Sequence, residues 1–164
     1  MSTVLNLGAT DLSTAYDTNL FKPGTQYVDD FGGIYTWGVY VDATVTAAAN
    51  VVCVPVISST NRAVFTGDIT DTDADIQKQV GYSPARMESG KRGWFKTGGF
   101  HKVKECSTTT GIAKGTMFRT VGTDKTVSAC TTFVLAAGIA LENFSTSATS
   151  LKWVQLFSLG RPSG

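Results

Sequence analysis

From Gly93 onward the chain alternates short apolar segments with turn residues, and this spacing limits the possible folds more strongly than any other feature. The segments have the length of β-strands, and most are rich in β-branched or aromatic residues. Strands separated only by turns are typical of all-β sandwiches and barrels. We therefore predict a compact all-β fold of short antiparallel strands with at most one short helix. The predicted strands are Trp94-Phe95, Val103–Cys106, Thr116–Val121, Phe133–Leu141 and Leu151–Phe157.

The first half of the chain adds one strongly patterned strand, Ile34–Asp42. Its residues alternate with a period of two, so the odd-numbered side chains share one face and the even-numbered ones share the other. Asn50–Ile57 is a continuous apolar run, and we expect Ala63–Thr66 to pair beside it. Because proline has no N–H to donate to a β-ladder, Pro55 favours a sheet edge or a bulge for this run.

The one predicted helix is Asp71–Val80, which begins with several acidic residues and ends before Gly81. Asp71 can cap the helix, and acidic side chains in a first turn interact favourably with the helix dipole. The same acidic stretch resembles the start of a calcium-binding loop. An EF-hand, however, needs Gly at the sixth position and Glu at the twelfth, where this chain has Ile76 and Tyr82. We therefore expect no calcium site.

The first 24 residues are predicted to form an N-terminal arm, followed by a single β domain over residues 25–164. The arm is weakly patterned and ends at Lys22-Pro23-Gly24. It is too apolar for a purely solvated tail, so we expect it to dock on its own domain or on a neighbouring subunit. An ordinary first strand followed by a loop is the alternative. The candidate interface residues of the arm are Leu5, Leu7, Leu12, Leu20 and Phe21.

The composition favours a subunit of an assembly. Charged residues make up 16% of the 164 residues, against about 25% in ordinary soluble domains. Much of the surface must therefore be neutral or apolar. Residues 1–80 contain nine acidic and three basic residues, whereas residues 81–164 contain four acidic and eleven basic ones. These opposite charges either cancel within one fold or attract neighbouring subunits.

Nothing in the sequence indicates a disulfide framework, a zinc site or a membrane helix. The cysteines Cys53, Cys106 and Cys130 are far apart and form no CxxC pair. The longest apolar run, Phe133–Leu141, has nine residues, about half of the ~18 that indicate a membrane-spanning helix. No secretory leader pattern follows Met1. We expect a soluble protein made in a reducing cytoplasm, with no membrane partner.

Basic residues are concentrated after residue 85, and Arg86, Lys91 and Arg92 complete the set of candidate interface residues. Aromatic residues interleave with the basic residues of the segment 86–104, as in proteins that stack single-stranded nucleic acid on a charged groove. Aromatic side chains in strands more often form the core, and alternating lysines more often face solvent or protect an edge. Nucleic acid is therefore not the expected partner.

No catalytic arrangement can be identified. His101 is the only histidine, and no GxSxG nucleophile motif is present. The carboxylates of the second half show no spacing typical of a general acid and base pair. Glu142, directly after an apolar segment, is more typical of a solvated strand end. We expect no enzyme activity, no cofactor and no metal.

Two short motifs carry a resemblance to a known family. Gly111–Gly115 has the pattern G-x-A-x-G at a strand entry, and Gly138–Glu142 has the pattern G-hydrophobic-A-hydrophobic-E. In this order they resemble the small capsid decoration, or cement, proteins of tailed bacteriophages, over about 50 residues.

The resemblance implies a virion structural protein, often trimeric, on the outside of the expanded phage head. Its partner would be the major capsid protein, and its role would be to tie neighbouring capsomers together without chemistry. Two alternatives come from other classes. One is a tail or receptor-binding β domain that recognises a surface carbohydrate, and the other is a binder of single-stranded nucleic acid.

Overall fold

The computed structural model describes residues 11–42, 49–50, 52–55, 63–67, 80–104, 111–120, 127–133, 136–145 and 150–157. Within these ranges the regular structure is β-sheet without α-helix, which confirms the predicted all-β class. The predicted helix falls almost wholly on residues 71–79, outside the described residues. The strands are β1 (Gln26–Val28), β2 (Ile34–Tyr40), β3 (Val52–Pro55), β4 (Val64–Thr66), β5 (Gly81–Tyr82), β6 (Arg92–Lys104), β7 (Met117–Thr120), β8 (Val127–Cys130), β9 (Gly138–Ala140) and β10 (Leu151–Leu156).

Five of these strands close into a ring, which we call the barrel. The order around it is β2, β4, β3, β5 and β6, and β6 pairs back onto β2. The β2–β4 pair is parallel and the other pairs are antiparallel. The period-two pattern of β2 follows from this position, because one of its faces lines the barrel interior and the other points outward.

The barrel interior is built around two stacked phenyl rings. The ring centroids of Phe65 and Phe95 are 3.9 Å apart, and the rings are nearly parallel. A Cβ atom added at Gly38 or Gly81 would lie 2.7 Å or 2.6 Å from the Phe65 ring. The two glycines therefore provide the space that Phe65 occupies. Tyr40, Cys53, Ala85 and Met87 complete this interior cluster.

The remaining strands form a second sheet that shares β6 with the barrel. Its order from β6 is β10, β9, β7 and β8. Its inner face packs in one hydrophobic cluster with outward-facing barrel residues such as Val52, Val54 and Tyr82. From the second sheet, Phe118, Val154 and other apolar residues enter the same cluster, so this interface is the main core of the molecule. The additional members are Val80, Val103, Ile112, Val127, Ala137, Ala140, Phe144 and Leu156.

Strand β6 differs most from the prediction, which placed two separate fragments at Trp94-Phe95 and Val103–Cys106. It is instead one strand of 13 residues. Its register against β2 shifts between Lys96 and Gly98, which leaves Thr97 as a β-bulge. Gly99 has a φ of +77°, and a Cβ atom there would overlap the carbonyl oxygen of Gly32. The bulge and this glycine allow β6 to leave β2 and pair with β10.

Two further predictions need correction. The apolar run at 50–57 is not an edge strand, because β3 pairs with both β4 and β5. Pro55 is its last residue and lies beyond the end of β5, so no ladder bond to β5 is lost. The predicted strand Phe133–Leu141 contains only β9, Gly138–Ala140, among its described residues.

The other strand predictions are confirmed within one or two residues, namely β2, β4, β7 and β10. The strands β1 and β5 were not predicted. They contain three and two residues, too few to show a periodic pattern.

Candidate functional site

The described part of the arm, residues 11–24, docks on its own domain. Phe21 packs against two barrel residues, with its ring centroid 5.2 Å from the rings of both Trp37 and Trp94. Leu12, Tyr16 and Tyr27 pack against the same aromatic cluster. This segment therefore covers the outer face of the β2–β6 pair. Leu20 remains exposed, and the candidates Leu5 and Leu7 lie outside the described residues.

Two of the predicted basic interface residues hold this segment in place. Lys91 Nζ donates a hydrogen bond of 2.6 Å to the Asp17 carboxylate, which raises the pKa of Lys91. The Arg92 guanidinium donates to the backbone carbonyl oxygen of Asp17 at 2.7 Å. The backbones of Arg92 and Tyr16 exchange two hydrogen bonds of 2.8 Å. Lys91 and Arg92 thus make their described contacts within the subunit.

Arg86, the third basic candidate, is exposed on the surface. Its guanidinium lies 3.7 Å from the Glu88 carboxylate, and both side chains are mostly solvent-accessible. An exposed pair of this kind contributes little to stability. Arg86 therefore remains available to a partner.

The most apolar exposed surface on regular structure is the outer face of the β6–β10 pair. Successive residues of a strand point to opposite faces, so Phe100 and Lys102 share this face while His101 and Val103 point inward. On β10, Leu151 and Trp153 are exposed and alternate with the half-buried Lys152 and the buried Val154. Trp153 stands directly opposite Lys102, and Leu151 opposite Lys104.

These side chains are exposed to an unusual degree for large apolar residues. The exposed fractions are 44% for Phe100, 50% for Leu151 and 41% for Trp153. The Nζ atom of Lys102 lies 5.2 Å from the centre of the Trp153 ring, within range of a cation–π interaction. Neither β6 nor β10 contains an acidic residue. The face is therefore apolar and positively charged.

The turn between β1 and β2 packs on the inward side of β6, where a Cβ atom at Gly33 would lie 2.7 Å from His101 Cε1. Asp29 Oδ1 accepts hydrogen bonds from the backbone N–H groups of Phe31 and Gly33 at 3.0 Å and 2.7 Å, which fix the turn. The turn lies against Gly99, the residue before Phe100. Phe31 is 80% exposed at its tip. We call the outer surface of the β6–β10 pair, formed by Phe100, Lys102, Leu151 and Trp153, the docking face.

A buried polar cluster lies beneath the junction of the barrel and the second sheet. Lys96 is only 9% exposed, and its Nζ donates hydrogen bonds of 2.7 Å to Asn50 Oδ1 and to the Lys102 carbonyl oxygen. Burial lowers the pKa of Lys96 to about 8. The loss of hydration disfavours the ammonium form, and no carboxylate among the described residues forms an ion pair with it.

His101 and Tyr35 form the other part of this cluster. The His101 ring is 3% exposed, shares a 2.7 Å hydrogen bond with the Gly98 carbonyl oxygen and meets the Tyr35 ring edge-on. Burial lowers the pKa of His101 to about 4. Burial and the nearby Asp29 carboxylate raise the pKa of Tyr35 to about 12. Both side chains are therefore neutral at neutral pH.

The segment 86–104 does not present the aromatic platform that a nucleic-acid site would need. Trp94 and Phe95 are fully buried, and of the three aromatic residues considered only Phe100 is exposed. Among the described residues, no group of three or more His, Cys, Asp or Glu side chains is placed to hold a metal ion. The described part of the chain also contains no helix long and apolar enough to cross a membrane.

The two glycine motifs lie side by side and support strand β10. The Gly115 N–H donates to the Ala140 carbonyl oxygen at 2.7 Å, and the Ala140 N–H donates to Thr116 at 3.0 Å. A Cβ atom at Gly138 would lie 2.5 Å from the Gln155 carbonyl oxygen, so close strand packing requires glycine there. Glu142 Oε2 accepts the backbone N–H of Trp153 at 2.7 Å. Glu142 therefore fixes the strand that carries the docking face.

Sequence reasoning did not identify Phe31, Leu151 or Trp153 as surface residues. The alternation of β10 was available as a signal, but it does not tell which of the two faces meets solvent. Searches against protein-family models, curated proteins and solved structures find no match.

Proposed function

We propose that this protein is a virion structural subunit that decorates the outside of a phage head and stabilises the capsid lattice. The observation that carries the proposal is the docking face, an apolar and basic surface on rigid strands. The motif resemblance supports the same role, because the Gly138–Glu142 motif braces the strand that carries this face. The proposed partner is the major capsid protein, and the protein acts by binding rather than by catalysis.

The chemistry of the docking face suits a protein partner. Protein interfaces have apolar and aromatic centres and polar rims, and tryptophan is among the residues that contribute most to binding. Trp153 and Phe100 provide such a centre, and Lys102 provides a charged rim. Since both strands are fixed by backbone hydrogen bonds, little conformational entropy is lost when the face binds.

Binding of this kind stabilises an assembly by mass action. A subunit that binds only the assembled lattice adds RT ln(1 + [L]/Kd), about 2.7 kcal/mol per site at a hundredfold excess over Kd. Undecorated heads should therefore disrupt at a lower temperature than decorated ones. Self-association, in trimers as the resemblance implies, would multiply the effect through avidity.

A sedimentation experiment tests the proposal. Purified protein is mixed with expanded, undecorated heads at micromolar concentration, the heads are pelleted, and their disruption temperature is measured. We expect the protein to pellet with the heads and to raise that temperature. Protein that stays in the supernatant, or that binds without raising the disruption temperature, would refute the proposal.

A matched pair of variants locates the binding surface. Phe100→Ser changes the docking face, whereas Phe133→Ser makes the same change at an exposed phenylalanine outside it. We expect the first variant to lose most of its binding and the second to retain it. Equal binding by both variants would show that the docking face is not the surface that binds the head.

The two alternative functions are tested with the same protein. A receptor-binding domain would bind host-cell carbohydrate, and a nucleic-acid binder would retain oligonucleotides with a steep dependence on salt. The Trp153 ring is less available for sugar stacking than an open aromatic surface, because Lys102 Nζ lies over it. We therefore expect neither activity.

A further inference from the structure

The buried Lys96 side chain and the partly buried Asn50 side chain are held in contact by the fold. Lys96 lies in the middle of β6, opposite Tyr35 on one side and Tyr82 on the other. Asn50 is fixed by its backbone, since its N–H donates to Ser83 at 2.6 Å and its carbonyl oxygen accepts from Lys104 at 2.9 Å.

The backbone of Asn50 also adopts an unusual conformation. Its φ is +60°, and every other described residue with a positive φ is a glycine. Asparagine tolerates the left-handed region better than most residues. The conformation directs the side chain to Lys96 Nζ, which lies 2.7 Å from Oδ1.

We propose that the side chains of Lys96 and Asn50 join in an intramolecular isopeptide bond, a cross-link that the folded chain forms without a second molecule. The Nζ atom of neutral Lys96 attacks Cγ of Asn50, and a C–N bond forms. A proton passes from Nζ to Nδ2, the bond between Cγ and Nδ2 breaks, and ammonia leaves. Amine and carboxamide are thereby converted into a secondary amide and ammonia, with no oxidant or cofactor.

The geometry brings the reacting atoms within reach. A carbonyl bond is about 1.23 Å long, so with Nζ 2.7 Å from Oδ1 the Nζ to Cγ distance cannot exceed about 3.9 Å. Rotation of the Lys96 or Asn50 side chain turns the amine toward Cγ. Reactants held in this way gain the large advantage of an intramolecular reaction.

The surroundings favour the reactive form of the amine. Burial lowers the pKa of Lys96 to about 8, so a substantial fraction of the side chain is neutral near neutral pH. The charge of Asp29 acts on Lys96 in the opposite sense and stabilises positive charge on Nζ.

Intact-mass measurement of the purified, folded chain provides the test. The isopeptide bond lowers the mass by that of ammonia, about 17 Da, and a protease digest then contains a branched peptide that joins Lys96 to Asn50. We expect both results in the wild type and in Lys102→Arg, which changes an exposed lysine of the same strand. A wild-type mass that matches the sequence, after any loss of Met1 is accounted for, would overturn the proposal.

Variants separate the cross-link from other losses of ammonia. Lys96→Arg and Asn50→Ala should both show the full mass expected from their sequences. If the deficit persists in Lys96→Arg, it arises from another reaction, such as succinimide formation at an asparagine, and the proposal is wrong. The wild-type measurement decides the question even if these variants fail to fold.

The bond forms within one subunit, so its absence would leave the capsid proposal unaffected.

Discussion

The barrel and the second sheet differ in how completely their surfaces are covered. The barrel interior is filled by the stacked rings of Phe65 and Phe95. Outside, the arm covers Trp37 and Trp94, and the second sheet covers the opposite side. Among the described residues, the second sheet has its inner face covered, while its outer face exposes Trp153 and its neighbours. The described part of the chain therefore covers the barrel on both sides and leaves one face of the second sheet exposed.

This difference predicts where the chain tolerates substitution. Barrel residues have matched shapes, as the glycines around Phe65 show. Substitutions there should affect folding. Substitutions on the docking face should affect binding and leave folding nearly unchanged.

The largest effect is expected from Phe65→Ala. The side chain is fully buried and stacked on Phe95, and removal of a buried phenylalanine costs about 3–5 kcal/mol. Phe133→Ala removes the same atoms from a side chain that is 69% exposed and whose ring centroid lies 5.2 Å from that of Phe157, so we expect it to cost no more than about 1.5 kcal/mol. Denaturant unfolding measures the loss of free energy of unfolding in both variants. Similar losses would mean that the barrel is not the more tightly packed region.

The pH dependence of stability should show the burial of His101 at the junction of the two regions. Its pKa is about 4 in the folded protein, against 6.5 for a histidine that is free in water. Between these values the unfolded chain binds more protons than the folded one. The contribution of the buried, neutral His101 to the free energy of unfolding is therefore complete above about pH 6.5 and is lost as the pH falls toward 4.

His101→Gln removes this titration, and the wild type should lose up to about 3 kcal/mol more than the variant over that range. Carboxylates titrate equally in both proteins, which makes the difference between the two curves specific to His101. Parallel curves would contradict the buried, neutral histidine.

Gly38→Ala is the third largest expected effect. The new Cβ would lie 2.7 Å from the Phe65 ring and 2.6 Å from the Ala63 carbonyl oxygen. Overpacking of this kind costs about 1–3 kcal/mol. A smaller residue at position 65 should relieve part of the strain, so Gly38→Ala should cost less in a Phe65→Leu background. A cost that is the same in both backgrounds would show that the ring does not cause it.

A strand could be predicted from the sequence where its pattern depends on residues that are neighbours in the chain, and not where it depends on distant partners. The alternation of β2 was informative because both of its faces are buried, by different clusters. Strand β6 was missed because Gly98-Gly99 is typical of a turn, whereas here the bulge at Thr97 and the positive φ of Gly99 keep the strand continuous. Whether a strand bends or ends at a glycine depends on its partners, here β2 and β10.

The candidate site was harder to predict for the same reason. Trp94 and Trp153 both lie in alternating strands, yet one is fully buried and the other is exposed. The difference depends on which segment packs over each strand, and the described part of the arm, residues 11–24, covers Trp94 but not Trp153. Likewise, the role of Lys91 depends on Asp17, which is 74 residues away in the chain. Sequence patterns do not encode such long-range contacts.

The smallest expected effect lies on the docking face, where the Lys102 ammonium sits 5.2 Å from the Trp153 ring centre. An exposed cation–π contact is worth about 0.5–1 kcal/mol, so Lys102→Met should reduce the free energy of unfolding by no more than that. In a Trp153→Leu background the same substitution should cost close to nothing, because the ring is absent. Denaturant unfolding of the four proteins gives the coupling energy directly. If Lys102→Met reduced the free energy of unfolding as much as Phe65→Ala does, this face would belong to the folding core. The second sheet would then have no surface available to bind a capsid.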